Sequence, residues 1–67
     1  MNFIIIYNKA TGYTEEILPE ANNDIAFELF KSKTDELRDN KDIEVNYVTA
    51  DDEADLKKYW RRFFNRI

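Results

Sequence analysis

The sequence predicts a small α+β domain: a two-layer sandwich of order β-β-α-β-α, with a three-stranded mixed sheet (order 2-1-3) covered on one face by two helices. Three observations predict it. Phe3-Ile4-Ile5-Ile6-Tyr7 is an unbroken apolar run of strand length. Ile43, Val45 and Tyr47 alternate with Glu44 and Asn46, the period of a strand with one apolar face. Between Asp24 and Arg38, apolar residues instead recur at helical spacing.

The first strand is apolar on both alternating faces, which suits a central strand with cover on two sides. Asn8-Lys9-Ala10-Thr11-Gly12 follows, and places the only glycine where a short hairpin loop requires a residue at positive φ. Tyr13 to Leu18 returns as the second strand. Pro19 has no N–H to give to a ladder and is expected to end it. Asn22 or Asn23 can cap the next helix, whose Ile25, Ala26, Leu29, Phe30 and Leu37 share a side while Glu28, Lys31 and Asp35 face away.

Asn40-Lys41-Asp42 reads as a turn before the third strand. Thr49 and Asp52 then approximate a capping box, opening a last helix that runs close to the C-terminus. At 100° per residue, Leu56, Tyr59, Trp60, Phe63, Phe64 and Ile67 span about 140° of that helix. Lys57, Lys58, Arg61, Arg62 and Arg66 fill the rest. The aromatic arc is expected to cap the sheet as core, with the bases suited to a helix C-terminus.

A helix after the second strand carries the chain over the first, so the third strand should lie on the far side, running parallel to the second. With both helices on one face, alternate side chains of the central strand would face outward without cover, either Ile4 and Ile6 or Phe3, Ile5 and Tyr7. A second copy or another protein would then cover them. An open strand edge offers a further route, by strand addition.

At 67 residues the chain reads as one domain, residues 1–67, with ten aromatics to fill a small core. Charge is divided sharply. Residues 1–56 carry all 14 acids against five bases, whereas residues 57–67 carry five bases and no acid, leaving a net charge of −4. Such a chain has surfaces for partners of either sign.

Catalytic readings lose support because His and Cys are absent, which removes the usual general base and most transition-metal ligands. One glycine cannot build a phosphate-cradling loop. Asp51-Asp52-Glu53-Ala54-Asp55 fails the calcium-loop pattern, which needs glycine and glutamate where Leu56 and Arg62 stand. Acids there suit a first helical turn. The expectation is therefore no enzyme, no cofactor and no metal.

The absence of Cys and of any long apolar run points to a cytoplasmic protein that does not enter membranes. An asparagine-, isoleucine- and lysine-rich composition resembles AT-biased coding and suggests a bacterium or one of its mobile elements. The expected function is protein binding, as a small acidic regulator or inhibitor whose acids resemble a phosphate backbone to a nucleic-acid-processing enzyme. Lys57, Lys58, Arg61, Arg62 and Arg66 are the candidates for an acidic partner surface, and Ile4 and Ile6 for an apolar one. Nucleic-acid binding through the basic aromatic helix is the alternative.

Overall fold

The computed structural model describes residues 1–63, with Arg62 described through its backbone only. Three strands, β1 (Asn2–Asn8), β2 (Tyr13–Glu20) and β3 (Ile43–Thr49), accompany two helices, α1 (Asn23–Leu37) and α2 (Glu53–Tyr59), and a closing 3-10 turn, Arg61–Phe63. The chain is a small α+β fold with strand order β2-β1-β3.

β1 runs antiparallel to both neighbours. β2 and β3 consequently point the same way, as the crossover argument requires, but β1 separates them. No adjacent pair is parallel, so the expected mixed sheet is corrected to an antiparallel one.

The hairpin between β1 and β2 forms as its residues suggest. Gly12 takes φ +76° and donates its N–H to the Asn8 carbonyl, while the Asn8 Oδ1 accepts from the amides of Ala10 and Thr11. Only glycine adopts that φ at little cost. Two residues on, the register shifts: Ile6 pairs with Glu16 but Tyr7 with Thr14, leaving Glu15 as the extra residue of a bulge. Pro19 does not end β2. It pairs opposite Phe3 on an edge strand, where a missing donor is tolerated, and the strand continues to Glu20.

Directly paired side chains share a face, so the registers sort the sheet. Ile4 and Ile6 share one face with Leu18, Tyr47 and Val45; Phe3 and Ile5 share the other with Pro19, Ile17 and Val48. α1 lies on the first face. Its Asn23 side chain accepts from Asn2 at 2.8 Å, its Phe30 ring meets Tyr47 edge-on at 5.8 Å, and its Ala26 is wholly buried. α2 and the 3-10 turn lie on the second, where Leu56 and Phe63 pack with Phe3, Ile5 and Val48.

The helices therefore cover opposite faces, which corrects the expected two-layer sandwich. The physical reason is β1 itself. A strand apolar on both sides is stable only when both are covered, and α2 supplies the second cover from the same chain.

Asn22 caps α1 by accepting from the Ile25 amide, and Asn2 is buried with Asn23, Tyr47 and Thr49 around its amide group. Ile25, expected inside, is 54% exposed because it flanks the inward stripe of Ala26, Leu29, Phe30 and Leu37. At α2 the cap is Asp52, whose Oδ1 accepts from the Asp55 amide at 2.8 Å. Thr49, the expected cap, instead ends β3 and donates its hydroxyl to the Asn2 Oδ1. α2 stops at Tyr59; Trp60 leaves the helical region at φ −123°, ψ 53°. The single helix expected to reach the C-terminus is thus broken after two turns. Phe64 and Ile67 lie outside the described residues.

Candidate partner-binding surface

The break after Tyr59 decides what the basic segment presents. Leu56 and Phe63 remain in the core, but Tyr59 is 68% and Trp60 39% exposed. Both were expected inside. Among the described residues of that arc, Leu56 and Phe63 join the core cluster, and the chain turns out of the helix at Trp60. Trp60 stacks on Phe63, a core residue, at 6.2 Å with planes 27° apart.

Lys57, Lys58 and Arg61 are exposed beside these rings, and the Lys58 ammonium sits 5.5 Å from the Tyr59 ring centre, within cation–π range. Lys57, Lys58, Tyr59, Trp60 and Arg61 are thus all exposed, a basic aromatic strip of sequence whose helical members fan out around the end of α2. Arg62 belongs to the 3-10 turn through its backbone, and Arg66 lies outside the described residues.

Ile4 and Ile6, expected on an apolar docking face, are 0% and 4% exposed. α1 covers the face they occupy, so they are core residues and are removed from any partner surface.

Next to the strip runs a groove of about 590 Å³ between β2 and α2, lined by Thr14, Glu15, Glu16, Ile17, Glu53 and Lys57, with Phe63 at its inner end. Ile17 and Glu53 also line an adjoining hollow with Met1, Phe3, Pro19, Asp51 and Asp52. The two adjoin at Ile17 and Glu53 along the channel between β2 and α2. Their linings include five acids and one base, Lys57; of the acids, Glu15 accepts from the Asn8 Nδ2 at 2.8 Å, Glu16 lies 4.0 Å from Lys33 of α1, and Asp52 caps α2. Sequence reading missed this channel, because its two walls are some 35 positions apart and no local pattern joins them.

The acids of α1 are arranged differently. Lys31 lies 3.9 Å from Glu28, Arg38 3.7 Å from Asp35, and Lys33 3.3 Å from Glu36 and 4.0 Å from Glu16. Exposed pairs of this kind add little stability. They do alternate the sign of charge along the helix, which works against an unbroken acidic array there.

Among the described residues no group of three acids is placed to hold a metal, and no helix is long and apolar enough to cross a membrane. Fold and surface together define a small antiparallel α+β domain with exposed bases and rings at the end of α2 and a groove between β2 and α2 lined by charges of both signs. Comparison with protein-family models, curated proteins and solved structures finds no match.

Proposed function

We propose that the protein is a non-enzymatic protein-binding module, a small cytoplasmic regulator or inhibitor of the kind mobile elements such as phages encode. Its contact surface is the strip Lys57, Lys58, Tyr59, Trp60 and Arg61, directed at an acidic face of a partner. The supporting observation is the exposure of Tyr59 and Trp60 among bases. Tyr, Trp and Arg dominate the energetics of protein interfaces, because large rings contribute area at small entropic cost and arginine makes forked hydrogen bonds.

Mimicry of a phosphate backbone toward a nucleic-acid-processing enzyme draws its support from the acids around the β2–α2 channel. The acids of α1 do not favour it, being interleaved with bases. A second reading has its own observation: exposed rings beside cations also suit stacking on single-stranded nucleic acid.

Tagged wild-type protein and the Lys58→Glu/Arg61→Glu variant, each passed through lysate with and without nuclease, separate these readings. A protein that survives nuclease on the wild type and is lost from the variant supports the protein-binding reading. Retention by both forms removes the strip as the contact. Recovery of nucleic acid alone, lost steeply as salt rises, favours the second reading.

A further inference from the structure

The two edges of the sheet are unlike. β2 carries the Glu15 bulge and Pro19, which has no N–H to give, and both features blunt an edge against strand addition. β3 carries neither. Its seven residues pair with β1 in unbroken register, include no proline, glycine or lysine, and hold one charge, Glu44. The strand order ends there, so no strand among the described residues lies beyond β3.

The ladder fixes which groups this edge presents. The Lys9 amide donates to the Asp42 carbonyl and the Ala50 amide to the Met1 carbonyl, marking hydrogen-bonded positions at both ends of the β1–β3 pairing. Such positions alternate along an antiparallel pair. Counting inward by twos, Glu44, Asn46 and Val48 turn their backbone groups to β1, and Val45, Tyr47 and Thr49 turn theirs away from it. A second observation lies on α1. Lys33 reaches toward Glu16 of β2, and Phe30 meets Tyr47 of β3. The same rotation, continued by about 60° for the next three residues back, places Phe27 on the β3 flank, where it is 53% exposed.

We propose that β3 is a homodimer edge, pairing antiparallel with β3 of a second copy to make one continuous sheet. The contact is separate from the basic strip and goes beyond the reading given for it. A two-fold axis normal to the sheet sets a strand antiparallel to its own copy, so the edge is complementary to itself. With the axis at Asn46, Val45 stands opposite Tyr47 of the second copy and Ile43 opposite Thr49, and outward-turned residues meet outward-turned residues along the strand. Val45 and Tyr47 then form apolar cross-strand pairs on the α1 face. Glu44 falls opposite Val48, which keeps the two Glu44 side chains about 13 Å apart along the strands, farther than a Debye length at physiological salt.

The same axis sets the two α1 helices side by side on one face and turns each Phe27 toward the other helix. Lys31, a cation on that flank, brings its compensation with it, lying 3.9 Å from Glu28 and 5.5 Å from the Phe27 ring centre. Closure selects a second copy over a foreign strand. Pairing β3 with β3 leaves only the two blunted β2 edges at the ends of the sheet, whereas a foreign strand would present an open edge of its own. The edge is about 23 Å long, which puts the contact at the small end of interface sizes and calls for measurement at high concentration.

Sedimentation at about 100 µM, where an association with Kd on the order of 10 µM is mostly dimeric, should show a dimer for wild type. Val45→Pro removes an outward N–H and no bond of the β1–β3 ladder, as Pro19 does on the edge of β2, so it should keep the fold by circular dichroism and sediment as a monomer. Phe27→Glu changes an exposed position outside the sheet and should weaken association at least tenfold. Amide exchange followed by NMR locates the contact: Val45, Tyr47 and Thr49 should be better protected at high concentration than at low. Lys58→Glu/Arg61→Glu should dimerise as wild type does. A monomeric wild type, a dimer whose β3 amides gain no protection, a folded Val45→Pro that still dimerises, an unaffected Phe27→Glu, or association lost in Lys58→Glu/Arg61→Glu each overturns the proposal. Protection of the β3 amides only when another protein is bound would overturn it too, assigning the edge to a foreign strand. A monomer that still captures a partner through Lys58 and Arg61 would overturn the dimer alone and leave the protein-binding reading standing.

Discussion

The hydroxyl of Thr14 donates a hydrogen bond to the carbonyl of Phe63, joining edge strand β2 to the 3-10 turn across 49 positions of chain. Both residues are buried, and the Phe63 ring meets Tyr7 edge-on at 5.4 Å on the same face. Thr14 thereby holds the position of the turn that exposes Trp60.

Thr14→Val should destabilise the fold by about 1–3 kcal/mol, because a buried carbonyl loses its donor while the side-chain volume is kept. Urea unfolding followed by tryptophan fluorescence measures both the loss and any change around Trp60. Thr14→Ser, which keeps the hydroxyl, should recover part of the stability.

Leu56→Ala and Trp60→Ala should differ in cost. Leu56 is wholly buried, so its truncation is expected to cost about 2–5 kcal/mol. Trp60 is partly exposed and stacked on Phe63. Its loss should cost about 1–2 kcal/mol, the size of an aromatic pair plus partial burial. Thermal melts of the two variants side by side check the order. A Trp60 variant as damaged as Leu56→Ala would mean that the indole is core.

Asn2→Asp is expected to cost about 1–3 kcal/mol at neutral pH. The Asn2 amide donates to the Asn23 Oδ1 while its own Oδ1 accepts from Tyr47 and Thr49. A carboxylate keeps the two acceptor contacts but sets oxygen against oxygen at Asn23, in a site 4% exposed. Chemical denaturation of Asn2→Asp with and without Asn23→Ser would show whether the cost arises at that contact.

Gly12→Ala should cost about 1 kcal/mol through backbone strain, since φ is +76° and an added Cβ would meet nothing within 4 Å. Gly12→Asn should cost less, because asparagine visits that region more readily. Denaturation midpoints of the pair separate strain from crowding.

The elements legible in the sequence were those whose signals are local. The Phe3–Tyr7 run, the alternation from Ile43, the glycine of the hairpin and the Asn22 cap each lie within a few residues, and strand order followed from crossover geometry. The assignment of helices to faces turned on β1, whose two-sided apolar run requires cover on both sides. The end of α2 was not legible, because nothing in the spacing of Leu56, Tyr59, Trp60 and Phe63 marks it. The same ambiguity governed the surface. Lys57, Lys58 and Arg61 were recognisable as exposed from their charge, but the exposure of Trp60 accompanies the break, and the burial of Ile4 and Ile6 follows from α1 crossing their face.

The two-sided burial of β1 also bears on how the fold selects its pairing. Where one face of a strand is wet, a slip of one residue is forbidden because it would turn apolar side chains toward solvent. In β1 a slip would exchange isoleucines for isoleucine and phenylalanine, and polarity alone scarcely discriminates between the two arrangements. Discrimination falls to the strand's ends: Asn2, which finds its partners on the α1 side only, and the bulge at Ile6/Tyr7, which admits an extra residue at one place only. Asn2 serves as an orientation mark, and the alignment of this sheet is encoded by one amide and one irregularity.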